Sequence, residues 1–335
     1  MHQYIQDITI IGGGPTGLFG SFYAGMRGMS TRIIDSLPEL GGQVMALYPE
    51  KYIFDVGGIP KVLGKDFVQN IITQGTQFNP DVVLDEEVVT LTKDKDNFVI
   101  KSKKNKYLTR SVLIAGGKGA FEPRPLKCPG YETLLGKGVY YAVKDPDEYQ
   151  GKKVLLVGGG DSALDWALSL KDRASQLTMI HRRDGFRAYQ SSIDELHAAR
   201  EAGKIDLKTF FEVRKINGKK RVESVTIYDN RTDEEIDLEV DAVLCFLGFK
   251  PDLGPIKSWG LELSGKRIVV NQLMQTSIPG IYAAGDLVSY PGKLDLIATG
   301  YGEAAIAVNN AVNYLDPGAR VNPGHSTNLS IFKDK

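Results

Sequence analysis

The sequence predicts an α/β fold built from two doubly wound, three-layer domains, the second inserted into the first. Two glycine-rich turns carry this prediction, at residues 12–17 (GGGPTG) and 158–163 (GGGDSA). Each turn comes directly after a short apolar run and opens a helix-like segment, which is the order of a strand–turn–helix unit. With 335 residues, the chain is long enough for two domains that each bury a core.

The elements around the first turn are predicted as strand, helix and strand at residues 7–11, 16–27 and 31–35. The same order recurs around the second turn at residues 154–157, 162–174 and 177–180. A strand–helix–strand unit of this kind is the start of a parallel, Rossmann-like sheet. Both domains are therefore expected to be nucleotide-binding domains.

Two stretches rich in glycine and proline, at residues 116–125 and 248–251, are interpreted as hinges between the domains. They place the first domain at residues 1–117 and 250–335, and the second at residues 118–249. A rotation about these hinges is a further hypothesis, since two small domains on such linkers can move as bodies.

The composition excludes several classes of partner. Lys plus Arg and Asp plus Glu number 41 each, which argues against nucleic acid and against an anionic membrane as partners. The two cysteines, Cys128 and Cys245, have neither a disulfide-framework nor a metal-ligand spacing, so no metal site is expected. We find no export signal and no apolar run of membrane-spanning length, and expect a cytoplasmic protein.

The first glycine turn has the spacing of a dinucleotide-binding fingerprint. Gly12 permits the tight turn, Gly14 lets the backbone approach a pyrophosphate, and Gly17 allows the helix to pack closely on the strand. The N-terminus of the next helix supplies amide donors and a positive dipole. Asp35 closes the next strand, where a carboxylate can bind an adenosine ribose hydroxyl and would repel a 2′-phosphate.

The second turn has basic residues in the position of that acid. Arginine side chains pair bidentately with phosphate oxygens, so this site is expected to prefer NADPH over NADH. An exposed basic cluster without a ligand is the alternative. The residues assigned to NADPH are Gly158, Gly160, Asp161, Ser162, His181, Arg182, Arg183 and Arg187. FAD in the first domain and NADPH in the second is the simplest assignment.

A third candidate feature lies near the C-terminus. Residues 280–286 read as a strand that ends at Asp286, and residues 299–305 read as the start of a helix rich in small residues. Asp286 can bind a ribityl hydroxyl of a flavin, and the helix N-terminus can stabilise negative charge on the reduced ring. Taken alone, a Gly-Asp pair at a strand end is more often a turn.

The order of these motifs, with residues 41–43 (GGQ) between them, resembles the thioredoxin reductase-like flavoproteins over nearly the whole chain. Thioredoxin reductases carry a C-x-x-C motif shortly before the second glycine turn, at about residues 141–144 here, and this chain has no cysteine there. Without a dithiol, electrons cannot leave the flavin by disulfide reduction.

Within that group, residues 47–53 (LYPEKYI), 161–167 (DSALDWA) and 325–327 (HST) resemble the bacterial ferredoxin–NADP reductases. The resemblance implies a homodimeric FAD enzyme that takes a hydride from NADPH and gives single electrons to ferredoxin or flavodoxin. It implies FAD contacts from Thr16, Asp35, Gln43, Tyr48, Val88, Phe121, Asp286 and Thr327, with Tyr48 and His325 stacked on opposite faces of the flavin. Asp35 departs from the Glu that is more usual in the family.

Hydride transfer between two cofactors requires no acid, base or nucleophile from the protein, so none is assigned. Two other functions stay open from the sequence. One is a diaphorase of the same fold that reduces quinones or ferric chelates, and the other is a nucleotide-binding protein without turnover. Because ferredoxin and flavodoxin are usually acidic, a local basic patch is expected despite the zero net charge.

Overall fold

The computed structural model describes residues 4–117, 119–143 and 145–332, without the side chains of residues 120–123, 249–251 and 330. The chain divides into two compact units. Met1–Phe121 and Pro251–Lys335 form the first unit, and Glu122–Lys250 form the second. Within the described ranges, every helix is too short or too polar to cross a membrane.

The first part of the first unit alternates strands and helices and then forms three successive antiparallel strands. Its elements are β1 (Gln6–Ile11), α1 (Pro15–Met26), β2 (Thr31–Ile34), α2 (Gly42–Leu47), β3 (Tyr52–Ile53), β4 (Val62–Leu63), α3 (Gly64–Thr76), β5 (Asp81–Val83), β6 (Val88–Asp94), β7 (Asn97–Ser102) and β8 (Lys106–Ile114). The next strand, β9 (Ala120–Pro123), crosses the boundary to the second unit.

The second unit contains the second strand–turn–helix motif and an antiparallel sheet. Its elements are α4 (Tyr131–Leu134), β10 (Val139–Tyr140), β11 (Lys153–Gly158), α5 (Asp161–Leu170), β12 (Gln176–His181), α6 (Gln190–Glu201), β13 (Asp206–Thr209), β14 (Phe211–Asn217), β15 (Ser224–Asp229), β16 (Glu235–Glu239) and β17 (Ala242–Phe246).

The chain then returns to the first unit. The elements are β18 (Phe249–Asp252), β19 (Leu263–Ser264), β20 (Arg267–Val269), β21 (Ile281–Ala283), β22 (Val288–Ser289) and α7 (Ile297–Leu315). Short 3₁₀ turns at Pro146–Tyr149, Gly254–Ser258, Ser326–Asn328 and Ser330–Phe332 complete the described elements.

The main sheet of the first unit has the strand order β5-β2-β1-β8-β7-β6, with β21 also paired to β8. β1 lies between two parallel neighbours, and its Ile10 is level with Ile33 of β2 and Leu113 of β8. All three side chains are fully buried. A parallel strand covered on both faces requires such a continuous apolar run, which explains why the sequence signal was strong here.

Helix α7 closes one face of this sheet with small side chains. Ala304, Ala307, Val308 and Ala311 recur at helical spacing and are fully buried. They pack α7 against α1 and β21. The strand β21 and the start of α7 thereby reach the same edge of the sheet as the first glycine turn.

The main sheet of the second unit has the order β10-β17-β11-β12-β13, and all of its pairings are parallel. Helix α5 packs on β11 and β12 with Leu164, Ala167 and Leu170 buried. A separate antiparallel sheet, β14-β15-β16, belongs to the same unit.

The predicted fold class, α/β with two Rossmann-like sheets, is confirmed. The predicted helix at 162–174 differs at its end, because α5 stops at Leu170. The N–H groups of Arg173 and Ala174 turn back to the Leu170 carbonyl at 3.0 Å each, and the Arg173 carbonyl accepts from Gly151 at 2.9 Å. The last four predicted residues therefore form a turn.

Candidate functional site

The first unit holds a cavity of about 290 Å³ at the carboxyl ends of β1, β2 and β8. In a parallel sheet, this edge is where ligands bind. Eight of the predicted FAD-binding residues line it. They are Gly12, Gly14, Thr16, Asp35, Gln43, Tyr48, Val88 and Asp286. The structure thus brings together residues that lie up to 274 positions apart in the chain, between Gly12 and Asp286.

The first glycine turn has no space for side chains where the backbones meet. Gly12 has a φ of +115°, and a Cβ there would overlap the carbonyl oxygen of Ala115. A Cβ on Gly17 would overlap the carbonyl oxygen of Gly12. At Gly14, by contrast, the nearest atom to an added Cβ is the Gly42 Cα at 3.7 Å. The turn is therefore closed toward the protein and open toward the cavity.

Helix α1 begins directly at this turn and points its N-terminus at the cavity wall. Gly14 is its N-cap residue and has no side chain to cap it, and Pro15 occupies the first helical position. The first N–H groups of a helix lack intrahelical partners, and an uncapped start leaves them for a ligand. The geometry fits a pyrophosphate at this end of the cavity.

Asp35 is buried at the end of β2 and ties that strand to the turn. Its Oδ2 accepts from the Gly13 N–H at 2.5 Å, and its Oδ1 accepts from the Leu37 N–H at 2.8 Å. Burial raises the pKa of this carboxyl, and the hydrogen bonds from Leu37, Gly13 and Ser36 oppose that rise. A carboxylate oxygen can accept more than one hydrogen bond, so Asp35 retains capacity for a ribose hydroxyl.

Gln43 and Tyr48 come from the short helix α2 and its end. An added Cβ on Gly117 would overlap the Gln43 side-chain amide, so that amide lies against the backbone just beyond β8. Tyr48 directly succeeds α2, and burial, with smaller effects of Asp286 and Asp55, raises its pKa to about 12. Its phenol therefore keeps its proton throughout the physiological range.

Thr16 joins the start of α1 to the C-terminal part of the unit. Its Oγ1 lies 3.1 Å from the position of a Cβ on Gly285, and an added Cβ on Gly300 would overlap it. Glu303 of α7 accepts a hydrogen bond from the Gly285 N–H at 2.7 Å. The residue before Asp286 is thus held between Thr16 on one side and Glu303 on the other.

The sequence analysis missed several residues that line the cavity, among them Glu86, Glu87, Leu253, Ile256 and Trp259. The Trp259 Nε1–H donates to the Val89 carbonyl at 3.0 Å, which fixes the indole beside β6. No sequence motif marks these residues. Leu253, Ile256 and Trp259 lie where the chain is predicted to return to the first domain, and that prediction assigns them no role.

His325 and Thr327 do not line this cavity and are exposed. Arg27 holds the preceding tail by donating to the carbonyls of Arg320, at 2.7 Å, and Val321, at 3.1 Å. After the tail, Phe332 packs its ring against Phe22 and Phe78.

Two further residues of the predicted FAD set do not line the cavity. The side chain of Phe121 lies outside the described residues. Gly17 lies behind the turn, where it packs against Gly12.

In the second unit, the glycine turn packs around His181. A Cβ on Gly158 would lie 2.5 Å from the Phe246 carbonyl oxygen, and a Cβ on Gly159 would overlap the His181 ring. That ring stacks on Phe186 with centroids 5.2 Å apart. Burial and, more weakly, Arg182 and Arg183 lower the pKa of His181, while the Gly185 carbonyl opposes them. The imidazole is therefore neutral at pH 7.

The loop after β12 is tied to this turn by its backbone. The Arg187 N–H donates to the Gly159 carbonyl at 2.8 Å, and the Tyr189 N–H donates to Asp161 Oδ1 at 3.0 Å. Gly160 is the N-cap residue of α5 and has no side-chain cap, and Ser162 is exposed in its first turn. An anion at this helix start would lie next to the basic loop.

The guanidinium groups of Arg182, Arg183 and Arg187 are exposed and form no ion pair within the ranges that the structure describes. Unpaired arginine forks near a helix N-terminus fit a phosphate group. The structure thus places every residue predicted for NADPH on one edge of the second sheet.

The described ranges contain no cluster of metal-ligating side chains and no disulfide. No group of three or more His, Cys, Asp or Glu side chains in them could hold a metal ion. Cys128 and Cys245 are free thiols. Burial raises the pKa of Cys128 to about 11 and that of Cys245 further, so neither forms a reactive thiolate at neutral pH.

A family model described as pyridine nucleotide-disulphide oxidoreductase matches residues 6–311. The chain belongs to this class of flavin- and nicotinamide-dependent enzymes. It is 53% identical over 322 residues to the ferredoxin–NADP reductase of Thermus thermophilus, with 96% of each chain covered. It is 50% identical over 329 residues to that of Halalkalibacterium halodurans, with 98% of each covered. Within the class, the chain therefore belongs to the family of the ferredoxin–NADP reductases, and the resemblance stated from the sequence is confirmed.

Solved structures of thioredoxin reductases share the fold. That of T. acidophilum superposes with a TM-score of 0.77 at 26% identity and covers 94% of this chain and 99% of its own. That of Lactococcus lactis gives a TM-score of 0.77 at 25% identity and covers 92% and 99%. The chain thus combines the architecture of thioredoxin reductases with a sequence that has no C-x-x-C.

Proposed function

We propose that the chain is an FAD-dependent ferredoxin–NADP reductase, which oxidises NADPH and delivers single electrons to ferredoxin. One observation carries the assignment of both cofactors. Two strand–turn–helix sites have a buried acid after one strand and unpaired arginines after the other. The first arrangement suits a nucleotide without a 2′-phosphate and the second suits one that has it. Relatives with half of their residues identical carry the name of this activity.

The chemistry that bound FAD would supply is acceptance of a hydride from NADPH and release of electrons one at a time. In the first unit, the open turn at Gly14 and the start of α1 would hold its pyrophosphate. Asp35 would hold its ribose, and Asp286 and Gln43 would hold its flavin end. Tyr48 would keep a neutral aromatic ring against the flavin. These roles rest on the cavity that the residues share.

In the second unit, the start of α5 and the arginines after β12 would hold NADPH. His181 would support the glycine turn as a neutral ring and not as a cation. The FAD domain at residues 1–117 and 250–335 and the NADPH domain at residues 118–249 are part of this proposal. The protein's contribution is to bind and orient both cofactors, since hydride transfer depends on alignment of the reacting atoms.

Ferredoxin is the acceptor in this proposal because the relatives that share half of their residues with the chain are named ferredoxin–NADP reductases. Flavodoxin as a second carrier, the homodimer and the cytoplasmic location stay predictions. His325 and Thr327 lie outside the cavity of their own chain. Their predicted flavin contacts therefore require another copy of the chain or a different position of the tail.

Anaerobic titration tests the proposal in three steps. The purified protein should be yellow, should bleach with NADPH, and should bleach far more slowly with NADH. Added ferredoxin should then be reduced at a higher kcat/KM than a quinone or a ferric chelate. Preference for the small acceptors would favour the diaphorase, and a yellow protein that NADPH does not bleach would favour a binding protein without turnover.

A further inference from the structure

Glu303 of α7 is a buried carboxylate that receives hydrogen bonds from three donors. Its Oε2 accepts from the Gly285 N–H at 2.7 Å. Its Oε1 accepts from the Tyr290 hydroxyl at 2.6 Å and from Lys293 Nζ at 2.7 Å. The side chains of Glu303 and Lys293 are only 3% and 4% exposed. Neither of these two residues, nor Tyr290, was singled out from the sequence for a function.

A buried ion pair of this kind is a poor source of stability. The desolvation of two charges cancels most of their attraction, and apolar residues of similar size often replace such pairs without loss of stability. A carboxylate that receives all of its hydrogen bonds fixes the geometry around it, because each donor must keep its position and angle. The arrangement therefore indicates that Glu303 serves to fix the positions of its donors and not to add stability.

The donors lie on both sides of the Asp286 turn. Gly285 immediately precedes Asp286, and Lys293 precedes the cavity-lining residues 295–297. Asp295 is itself held by Arg267 through two hydrogen bonds, at 2.9 and 2.7 Å. Glu303 thus connects the turn that carries Asp286 to the loop that leads into α7.

Gly285 is also confined from its other side. It has a φ of +88°, a conformation that favours glycine, and Thr16 lies next to the position of its absent Cβ. Thr16 and the Glu303 carboxylate thus both restrict the peptide before Asp286. Removal of the carboxylate leaves the Gly285 N–H buried without its acceptor, which favours a shift of the turn.

We propose that Glu303 is a positioning residue for the flavin site, which acts by holding the Gly285 N–H and through it Asp286. Lys293 neutralises the carboxylate so that the charge does not disturb the cavity. This inference rests on the proposed function, because it takes the flavin end of FAD as the ligand of Asp286.

Two double variants separate the hydrogen bond from the ion pair. Glu303→Gln with Lys293→Met removes both charges and keeps a carbonyl oxygen for the Gly285 N–H, while the Gln amide can donate to Tyr290. Glu303→Leu with Lys293→Met removes the same charges and also the acceptor. The measurement is the FAD dissociation constant of each apoprotein, from quenching of flavin fluorescence, together with the absorption spectrum of the bound flavin.

The Leu variant is expected to bind FAD about tenfold or more weakly than wild type, which is the usual effect of leaving a buried donor unpaired. The Gln variant is expected to stay within about threefold, since it lacks only the ion pair. Equal dissociation constants for the two double variants would overturn the inference. A wild type that binds no FAD would overturn the proposed function as well, so the two failures are distinguishable.

Tyr290→Phe serves as a second test if the Leu variant does not fold. It removes one donor from Oε1 and leaves the bond to Gly285 intact. We expect its FAD dissociation constant to stay within about threefold of wild type, because a single neutral hydrogen bond contributes little net free energy. A loss of tenfold or more in this variant would mean that the whole network, and not the hold on Gly285, supports FAD, and would overturn the inference.

Discussion

The two glycine turns share a backbone plan and differ in the residues at the end of the second strand of each motif. In the first unit, β2 leads into Asp35, which is buried and accepts two backbone hydrogen bonds. In the second unit, β12 ends in a neutral, half-buried His181, and the arginines beyond it reach solvent. In the proposed function, the backbone therefore offers a phosphate site in both units, and the residues at the strand end would select the nucleotide.

The turns also differ at the third glycine position of the fingerprint. Gly17 has no room for a Cβ, because the Gly12 carbonyl oxygen lies in its place. The second turn has Ala163 there, and its Cβ lies only 2.8 Å from the position of a Cβ on Gly158. The helix therefore approaches its strand more closely in the first unit, and the same substitution should have unequal effects in the two.

Gly17→Ala should produce the largest effect. The added methyl group forces α1 away from the turn, an overpacking that costs about 1–3 kcal/mol or more. The displaced N–H groups can then no longer face the pyrophosphate, so FAD should be lost. The ratio of flavin to protein absorbance in the purified variant measures this. A variant that purifies with a full complement of FAD would contradict the close approach of α1.

Replacing both Arg182 and Arg183 by Ala should have the next largest effect. Removal of charge-assisted bonds to the 2′-phosphate is expected to lower kcat/KM for NADPH about hundredfold and to leave the value for NADH nearly unchanged. Arg200→Ala, at an exposed arginine on α6 of the same unit, is the matched control. Equal losses for the two coenzymes would show that the arginines do not read the phosphate.

Asp35→Asn should weaken FAD binding about tenfold, because Asn keeps one acceptor oxygen where the structure uses two. Equilibrium binding of FAD to the two apoproteins measures the difference. An unchanged dissociation constant would show that Asp35 does not bind the ribose. Asp35 would then not be the counterpart of the arginines in the second unit.

The same variant gives a pH test. The pKa of Asp35 in the folded chain lies above its ordinary value of 3.8, so the folded state binds this proton more tightly than the unfolded state. Its contribution to stability is therefore largest at low pH and falls as the pH rises through the raised pKa. Denaturant unfolding of the apoproteins should show wild type losing stability relative to Asp35→Asn as the pH rises from about 4. The opposite slope would mean that the hydrogen bonds outweigh burial.

Ala163→Gly should produce the smallest effect. Ala163 lies in the first helical turn of α5, and the second glycine turn has room for its methyl group. Replacing an alanine by glycine within a helix is expected to lower the free energy of unfolding by about 1 kcal/mol. The KM for NADPH should stay within about twofold of wild type, by steady-state kinetics. A large rise in KM would show that the two turns are less alike than their backbones indicate.

The sequence predicted those parts of the site whose signals are local. β1, the first glycine turn and α1 are contiguous in the chain. The signals that predicted them are the apolar run, the glycines and Asp35, and each of these lies within about twenty residues of the next. Glu86, Trp259 and the contact of Glu303 with Gly285 have no such signal. The pairing of β21 with β8 and the packing of α7 on α1 bring Gly285 to Glu303. Trp259 donates to the Val89 carbonyl, and Glu86 accepts from the Tyr107 hydroxyl. No local periodicity reveals these contacts.

The C-terminal tail shows a second limit of prediction from the sequence. The resemblance assigned His325 and Thr327 to the flavin, but their position depends on the contacts that hold residues 320–332. In the structure, Arg27 and the rings of Phe22 and Phe78 hold this segment. A family pattern names residues that contact a ligand, and it does not say in which copy of the chain they do so.

The pairing of β21 with β8 also sets the order of events during synthesis. A ribosome releases the N-terminal glycine turn early, but the strand that carries Asp286 to it emerges only after the entire second unit. Domains tend to fold as units while the chain is being made. The nascent protein must therefore hold an incomplete first sheet until β21 has left the exit tunnel, so the cavity at its edge is completed late in synthesis.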